Sequence, residues 1–199
     1  MNEMKKTPTD NTIALRKGDF QNLAEALDYA AGGVTGINFY SGKGDLAAAV
    51  PYALLRSMAR SLARKLLGLG LPKGGRIALV ADTNADFVRF FFACQYAGLV
   101  PVPLPAAVHL GGRQAYVDNL GKLVHASGAQ AAMSSSSFFP FLSEAVAGLE
   151  LKHIGEPDYF DALPETDLPL QSPGPEDVAY LQYTSGSTRF PRGVVITQK

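Results

Sequence analysis

Residues 178–197 read VAYLQYTSGSTRFPRGVVIT, two β-rich runs at 178–183 and 194–197 around a loop dense in anion ligands. The loop runs Thr184, Ser185, Gly186, Ser187, Thr188, Arg189, Phe190, Pro191, Arg192, Gly193, with four hydroxyls, two glycines and two guanidinium groups. Gly186 lets the backbone turn without a Cβ, so successive N–H groups can face inward around phosphate oxygens. The hydroxyls of Thr184, Ser185, Ser187 and Thr188 add donors. Arg192 offers a planar fork for a terminal phosphate, and Pro191 stiffens the far side of the loop. The bland alternative is an ordinary hairpin turn, which is what a bare Ser-Gly-Ser-Thr most often makes.

Upstream of the loop, strand and helix patterns alternate. Asn22 can cap a helix over Leu23, Ala26, Leu27 and Ala30, ended by Gly32 and Gly33. Residues 35–41 and 46–50 read as a hairpin around Ser41-Gly42-Lys43-Gly44-Asp45. From Pro51 the period is helical, with Leu55, Met58, Ala59, Leu62, Ala63 and Leu66 on one face. Arg56, Arg60 and Arg64 lie on another, which reads as a solvated stripe. Residues 76–81 (RIALVA) form an apolar run of the buried parallel kind, followed by a helix opening at Asp82-Thr83-Asn84. Phe87, Phe90, Phe91, Phe92, Cys94 and Tyr96 make that helix apolar nearly all round, so it is expected between layers. In residues 99–104 Pro101 and Pro103 cannot donate ladder bonds, which favours an edge strand or an irregular exit, with the sheet interrupted there. Tyr116, Leu120, Leu123 and Val124 mark another helix. Further along, 129–134 reads as a strand, 138–147 as a helix, 151–154 as a short strand and 157–174 as a proline-rich connector. The serines at 134–137 are read as a strand end and a helix cap. The expected fold class is α/β: a mainly parallel sheet with helices on its faces.

Composition narrows the function classes. The 199 residues carry 18 Lys+Arg and 18 Asp+Glu, so no net field draws nucleic acid or an anionic membrane. Cys94 is the single cysteine, which excludes an intrachain disulfide and reads as a packed thiol; a reducing cytoplasmic setting is expected. No apolar run approaches the roughly 20 residues of a membrane span. Residues 1–10 carry Lys5 and Lys6 without an apolar core, unlike a secretory signal. Ser41-Gly42-Lys43-Gly44 fails a Walker pattern at Ile37 and Gly44. His109, His125 and His153 lack metal-ligand spacing, so no metal site is assigned to this chain's own residues.

Residues 184–194 resemble the phosphate loop of the adenylate-forming (acyl-CoA synthetase-like) superfamily, Thr-Ser-Gly-Ser/Thr-Thr-Gly-x-Pro-Lys-Gly-Val, in order and spacing. Arg189 replaces a glycine and Arg192 the lysine. The Leu-Gln-Tyr lead-in at 181–183, Arg189, Ala81-Asp82-Thr83, FFACQYAGLVPVPL at 91–104 and Gly111-Gly112-Arg113 are most similar to the fatty acyl-AMP ligase branch. Gln198 stands where many members place a histidine beside the acyl pocket, so that role is not carried over.

The resemblance, over roughly residues 36–199, implies ATP- and Mg²⁺-dependent activation of a long-chain fatty acid to acyl-adenylate with release of pyrophosphate. It implies Thr184, Ser185, Gly186, Ser187, Thr188, Arg189, Arg192 and Gly193 as the nucleotide-binding set. The expected acceptor is an acyl carrier protein or a carrier domain of a polyketide or nonribosomal peptide synthase. Residues 1–18 are expected to form a flexible arm, and 19–199 an incomplete N-terminal AMP-binding domain ending just after the phosphate loop. The catalytic lysine, the magnesium-binding glutamate and the C-terminal domain are expected beyond residue 199, so the 199 residues alone are expected to be inactive. A long-chain acyl-CoA synthetase and a non-catalytic nucleotide-binding module are the alternative readings.

Overall fold

Among the described residues the first helix opens at Asn22, whose side chain accepts from Glu25 N at 2.8 Å and caps α1 (Leu23–Ala30). The structure is a computed structural model and describes residues 13–106, 112–171, 173–184 and 192–199. Residues 13–18 carry no helix or strand, but Arg16 pairs with Asp19 at 2.8 Å and Glu25 at 2.9 Å.

β1 (Gly36–Tyr40) and β2 (Leu46–Pro51) form the expected antiparallel hairpin. Its turn is held by Ser41 N donating to Asp45 O at 2.8 Å, with Gly44 at φ 88°, a conformation that suits glycine. The Ser41 hydroxyl oxygen accepts from Lys43 N and Asp45 N, so this Walker-like stretch is occupied with its own turn.

α2 (Tyr52–Leu67) buries Leu55, Ala59, Leu62, Ala63 and Leu66, as the period requires. Its arginine stripe keeps Arg56, Arg60 and Arg64 partly exposed, and two of the three also find partners in the fold. Packing of α1 and α3 on that side sets Arg56 Nε 2.5 Å from Asp28 and Arg60 over the Tyr96 ring at 5.4 Å.

The central sheet has four parallel strands in the order β4-β3-β5-β6: β3 (Arg76–Val80), β4 (Val100–Leu104), β5 (Ala131–Met133) and β6 (His153–Gly155). Alternate residues point to opposite faces. Ile77, Leu79, Ala131 and Met133 join the core of α1, α2 and α3 (Ala85–Ala97). Ala78, Val80, Val100, Val102 and Leu104 join that of α4 (Gly112–Ser127) and α5 (Phe139–Ala145). In α3, Asn84 caps Phe87 N at 2.9 Å, and Gly98 ends the helix at φ 66°. Phe90, Cys94 and Tyr96 are buried, whereas Phe87, Phe91 and Phe92 are only partly covered.

Two connections differ from expectation. The 157–174 connector contains α6 (Pro157–Asp161), a single turn with proline at its first position and Phe160 fully buried edge-on to Phe90 at 5.3 Å. Arg89 fastens it with two bonds of 2.9 Å to the Asp161 carboxylate. The serines after β5 do not cap α5 through a side chain; Ser135 Oγ donates to Asp82 and Ser136 Oγ to Glu156.

β7 (Val178–Tyr183) and β8 (Gly193–Thr197) make a separate antiparallel sheet packed beside β4. The N–H of Val100 donates inward to Gly75 O at 2.8 Å, which turns the donor-less positions of Pro101 and Pro103 toward the outer edge. Of the two readings its prolines allowed, β4 is an edge of the parallel ladder rather than an irregular exit.

Candidate functional site

The β7–β8 hairpin carries the phosphate-loop sequence between its strands. Tyr183 pairs with Gly193 at the last rung, and beyond it Thr184 N donates to Arg192 O at 3.1 Å. That bond closes the mouth of the loop. The Thr184 hydroxyl lies 3.5 Å from the same carbonyl, too far to be tied down by it. Thr184 and Arg192 are both exposed, so the backbone sets two residues whose side chains carry anion donors opposite one another at the solvent-facing mouth of the loop. Ser185, Gly186, Ser187, Thr188 and Arg189 lie outside the described residues. The structure thus brings together the loop's two ends, Thr184 and Arg192, with Gly193 at the base.

Gly193 has a packing reason of its own. A Cβ there would stand 3.3 Å from Tyr183 Cζ and 3.4 Å from Cε1, because the Tyr183 ring lies across the glycine. Tyr183 is partly buried against the α4 side of the core, and that burial raises its phenol pKa against the opposing charge of Arg76.

Gln198, just past β8, faces the fold rather than an open pocket. Its Nε2 donates to Gln95 Oε1 at 2.7 Å and its Oε1 accepts from Leu23 N at 2.9 Å. Neither this contact nor the role of Gln95 follows from residue spacing, since the two glutamines are 103 positions apart. The available signal was a lone glutamine in the otherwise apolar run 90–97.

A second polar cluster sits where the helix connections diverge. β3 leads into α3 on one face and β5 into α5 on the other, the divergence at strand C-terminal ends where open parallel sheets commonly bind ligands. Asp82 accepts there from Ser135 Oγ at 2.8 Å and Asn84 Nδ2 at 3.1 Å. The Tyr116 hydroxyl donates to Pro105 O at 2.8 Å, and burial, aided by the Asp82 charge, pushes its pKa up to about 12. Among the described residues no three His, Cys, Asp or Glu gather as a metal site, and no helix is long and apolar enough to cross a membrane. The Cys94 thiol is fully buried and its pKa is raised by that burial.

A family model described as AMP-binding enzyme matches residues 41–199. The chain belongs to this family. A protein of Caulobacter vibrioides named "putative acyl-CoA synthetase" is 44% identical to this AMP-binding chain over 194 residues, 97% of the chain and 33% of that protein. A solved structure from a study of fatty acyl-adenylate ligases of E. coli and L. pneumophila is 46% identical with a TM-score of 0.86, over 92% of this chain and 33% of that one. A long-chain fatty acid–AMP ligase of Mycolicibacterium smegmatis is 33% identical over 149 residues, 73% of the chain and 23% of that ligase. The chain therefore spans about a third of the length of the first of these relatives. Its α/β fold is that of the N-terminal part of adenylate-forming enzymes.

Proposed function

We propose that residues 19–199 are the first part of the AMP-binding domain of a longer ligase, which activates a long-chain fatty acid with ATP and passes the acyl group to a carrier protein. The observation that carries this reading is the loop sequence 184–194 set on a closed antiparallel hairpin, with Thr184 and Arg192 exposed at its mouth. In this account Thr184, Ser185, Ser187 and Thr188 donate to phosphate oxygens, and Gly186 lets backbone N–H groups turn inward. Arg189 and Arg192 face the charge that grows on the departing pyrophosphate.

The donor set suits a polyphosphate: hydroxyls and guanidinium groups, with no carboxylate between Thr184 and Gly193 to repel it. Mg²⁺, held chiefly by the phosphates, would neutralise charge on the leaving group. Arg192 in place of the family's lysine keeps the charge and offers a fork where an ammonium offers a point. The fatty acid is supported by the ligases among the relatives, and a cytoplasmic setting by the buried single thiol.

A second reading, transfer to coenzyme A, is favoured by the name of the Caulobacter relative. The test offers both acceptors. The intact protein is incubated with ATP, Mg²⁺ and a fatty acid, then given either coenzyme A or a carrier protein bearing a phosphopantetheine arm. Acyl-carrier product with little acyl-CoA is expected; efficient acyl-CoA formation would move the assignment to the synthetases.

A further inference from the structure

The geometry points to Gln95 as the positioning residue of the phosphate loop, acting by fixing the register of the β7–β8 hairpin through a bulge at Ala179; this rests on the adenylation reading above. Along the hairpin Val178 pairs with Thr197 and Tyr180 with Ile196, so Ala179 is skipped. A bulged residue leaves the ladder with a backbone group to be satisfied elsewhere. Ala179 is 1% exposed, so water does not reach it freely. Gln95, also 1% exposed, donates from Nε2 to the Ala179 carbonyl at 2.8 Å.

The other end of the same amide holds the second strand. Gln95 Oε1 accepts from Gln198 Nε2, and Gln198 Oε1 accepts from Leu23 N, one of the unpaired first-turn donors of α1. The direction of this relay is forced at both ends, since Leu23 N can only donate and the Ala179 carbonyl can only accept. One side chain on α3 thereby grips β7 directly, reaches the end of β8 through Gln198, and ties both to α1. Leucine would satisfy neither bond. Glutamate would set a carboxylate oxygen against the Ala179 carbonyl.

Register matters because a slip of one residue turns every side chain of a strand to the other face. In the observed register Leu181 is buried, Tyr183 covers Gly193, and Thr184 meets Arg192 across the loop mouth. Removing the Gln95 amide leaves the bulge without the partner that selects it, and the loop's two ends lose their fixed opposition. Gln95 lies on α3 and acts on nucleotide only through the hairpin. A core glutamine that was merely satisfied would affect stability without singling out ATP.

The test compares Gln95→Leu and Gln198→Leu in the intact protein by two readouts: KM for ATP and for fatty acid in pyrophosphate exchange, and amide hydrogen exchange of 178–184 and 192–197. For Gln95→Leu the ATP KM should rise about tenfold with the acid KM within about twofold, while hairpin amides exchange about tenfold faster and those of β3 and β5 stay protected. Gln198→Leu should show the same pattern more weakly, and the double variant should be no worse than Gln95→Leu, since both cut one relay. Unchanged hairpin protection and ATP KM would overturn the proposal, as would uniform loss of protection across β3, β5 and the hairpin. If Gln95→Leu fails to fold, Gln198→Leu carries the same readouts. Absence of acid-dependent exchange in the unmodified protein would refute the adenylation reading, and hairpin amide exchange would still decide the role of Gln95.

Discussion

The ring of Tyr183 lies across Gly193 at the last rung of the hairpin, close enough that a Cβ on residue 193 would meet it at 3.3 Å. A methyl group there must displace the ring by a few tenths of an ångström. Gly193→Ala should therefore destabilise the fold by about 1 kcal/mol, the low end of the overpacking range, because Tyr183 is only partly buried. Urea denaturation measures this; an alanine variant as stable as the parent would show that the ring yields without cost.

The two asparagine caps should not be equivalent. Asn84 accepts from Phe87 N at 2.9 Å at the start of α3, so Asn84→Ala should cost about 1 kcal/mol. Asn22 caps α1 and also donates to Pro173 O at 2.9 Å from a buried position, so its loss leaves a buried carbonyl unpaired as well. Asn22→Ala should cost about 2 kcal/mol. Equal losses on urea denaturation would contradict the double role of Asn22.

Most of the fold was legible because the sequence period changes cleanly between elements. Leu55, Ala59, Leu62 and Leu66 repeat at helical spacing and are buried, and the run 77–80 is apolar because both sheet faces are covered. α6 was not legible: one turn of helix has no period, and its anchors, Phe160 to Phe90 and Asp161 to Arg89, are tertiary contacts. The partners of Arg56 and Arg60 were not legible for the same reason, since Asp28 and Tyr96 reach them only in the fold. The loop chemistry was readable residue by residue, whereas the Ala179 bulge has no mark in its side chain.

Acid should weaken the fold. Asp177, beside Lys73 and the Gly174 N–H, is held below its ordinary value of 3.8, and Asp19, beside Arg16, likewise. Glu25, bonded by Gln21 N and Arg16, and Glu144, beside Arg113, are held below 4.5. A carboxyl with a depressed folded-state pKa adds stability that is fully present above its unfolded-state value and is lost as pH falls through the folded value. These groups are exposed, so the slope should be shallow and should flatten with added salt. Melting temperature followed from about pH 6 to about pH 3 should fall only below about pH 4.5, and Asp177→Asn should reduce the fall. A melting temperature that rises on acidification would contradict this.

The Cys94 thiol should be chemically silent in the native state. It is 0% exposed, and burial raises its pKa, so both access and thiolate are lacking. A thiol reagent should react at least roughly a hundredfold more slowly with native protein than in urea. Comparable rates would mean that α3 is not packed as described.

The adenylation claim is tested most directly by ATP–pyrophosphate exchange. The intact protein with Mg²⁺ should exchange only when a fatty acid is present. Arg192→Ala should slow that exchange roughly tenfold to a hundredfold, a barrier increase of about 1–3 kcal/mol. The 199-residue chain alone, a third of the length of its Caulobacter relative, should show none. Acid-independent exchange, no exchange by the intact protein with any fatty acid, or full activity in Arg192→Ala would contradict the account.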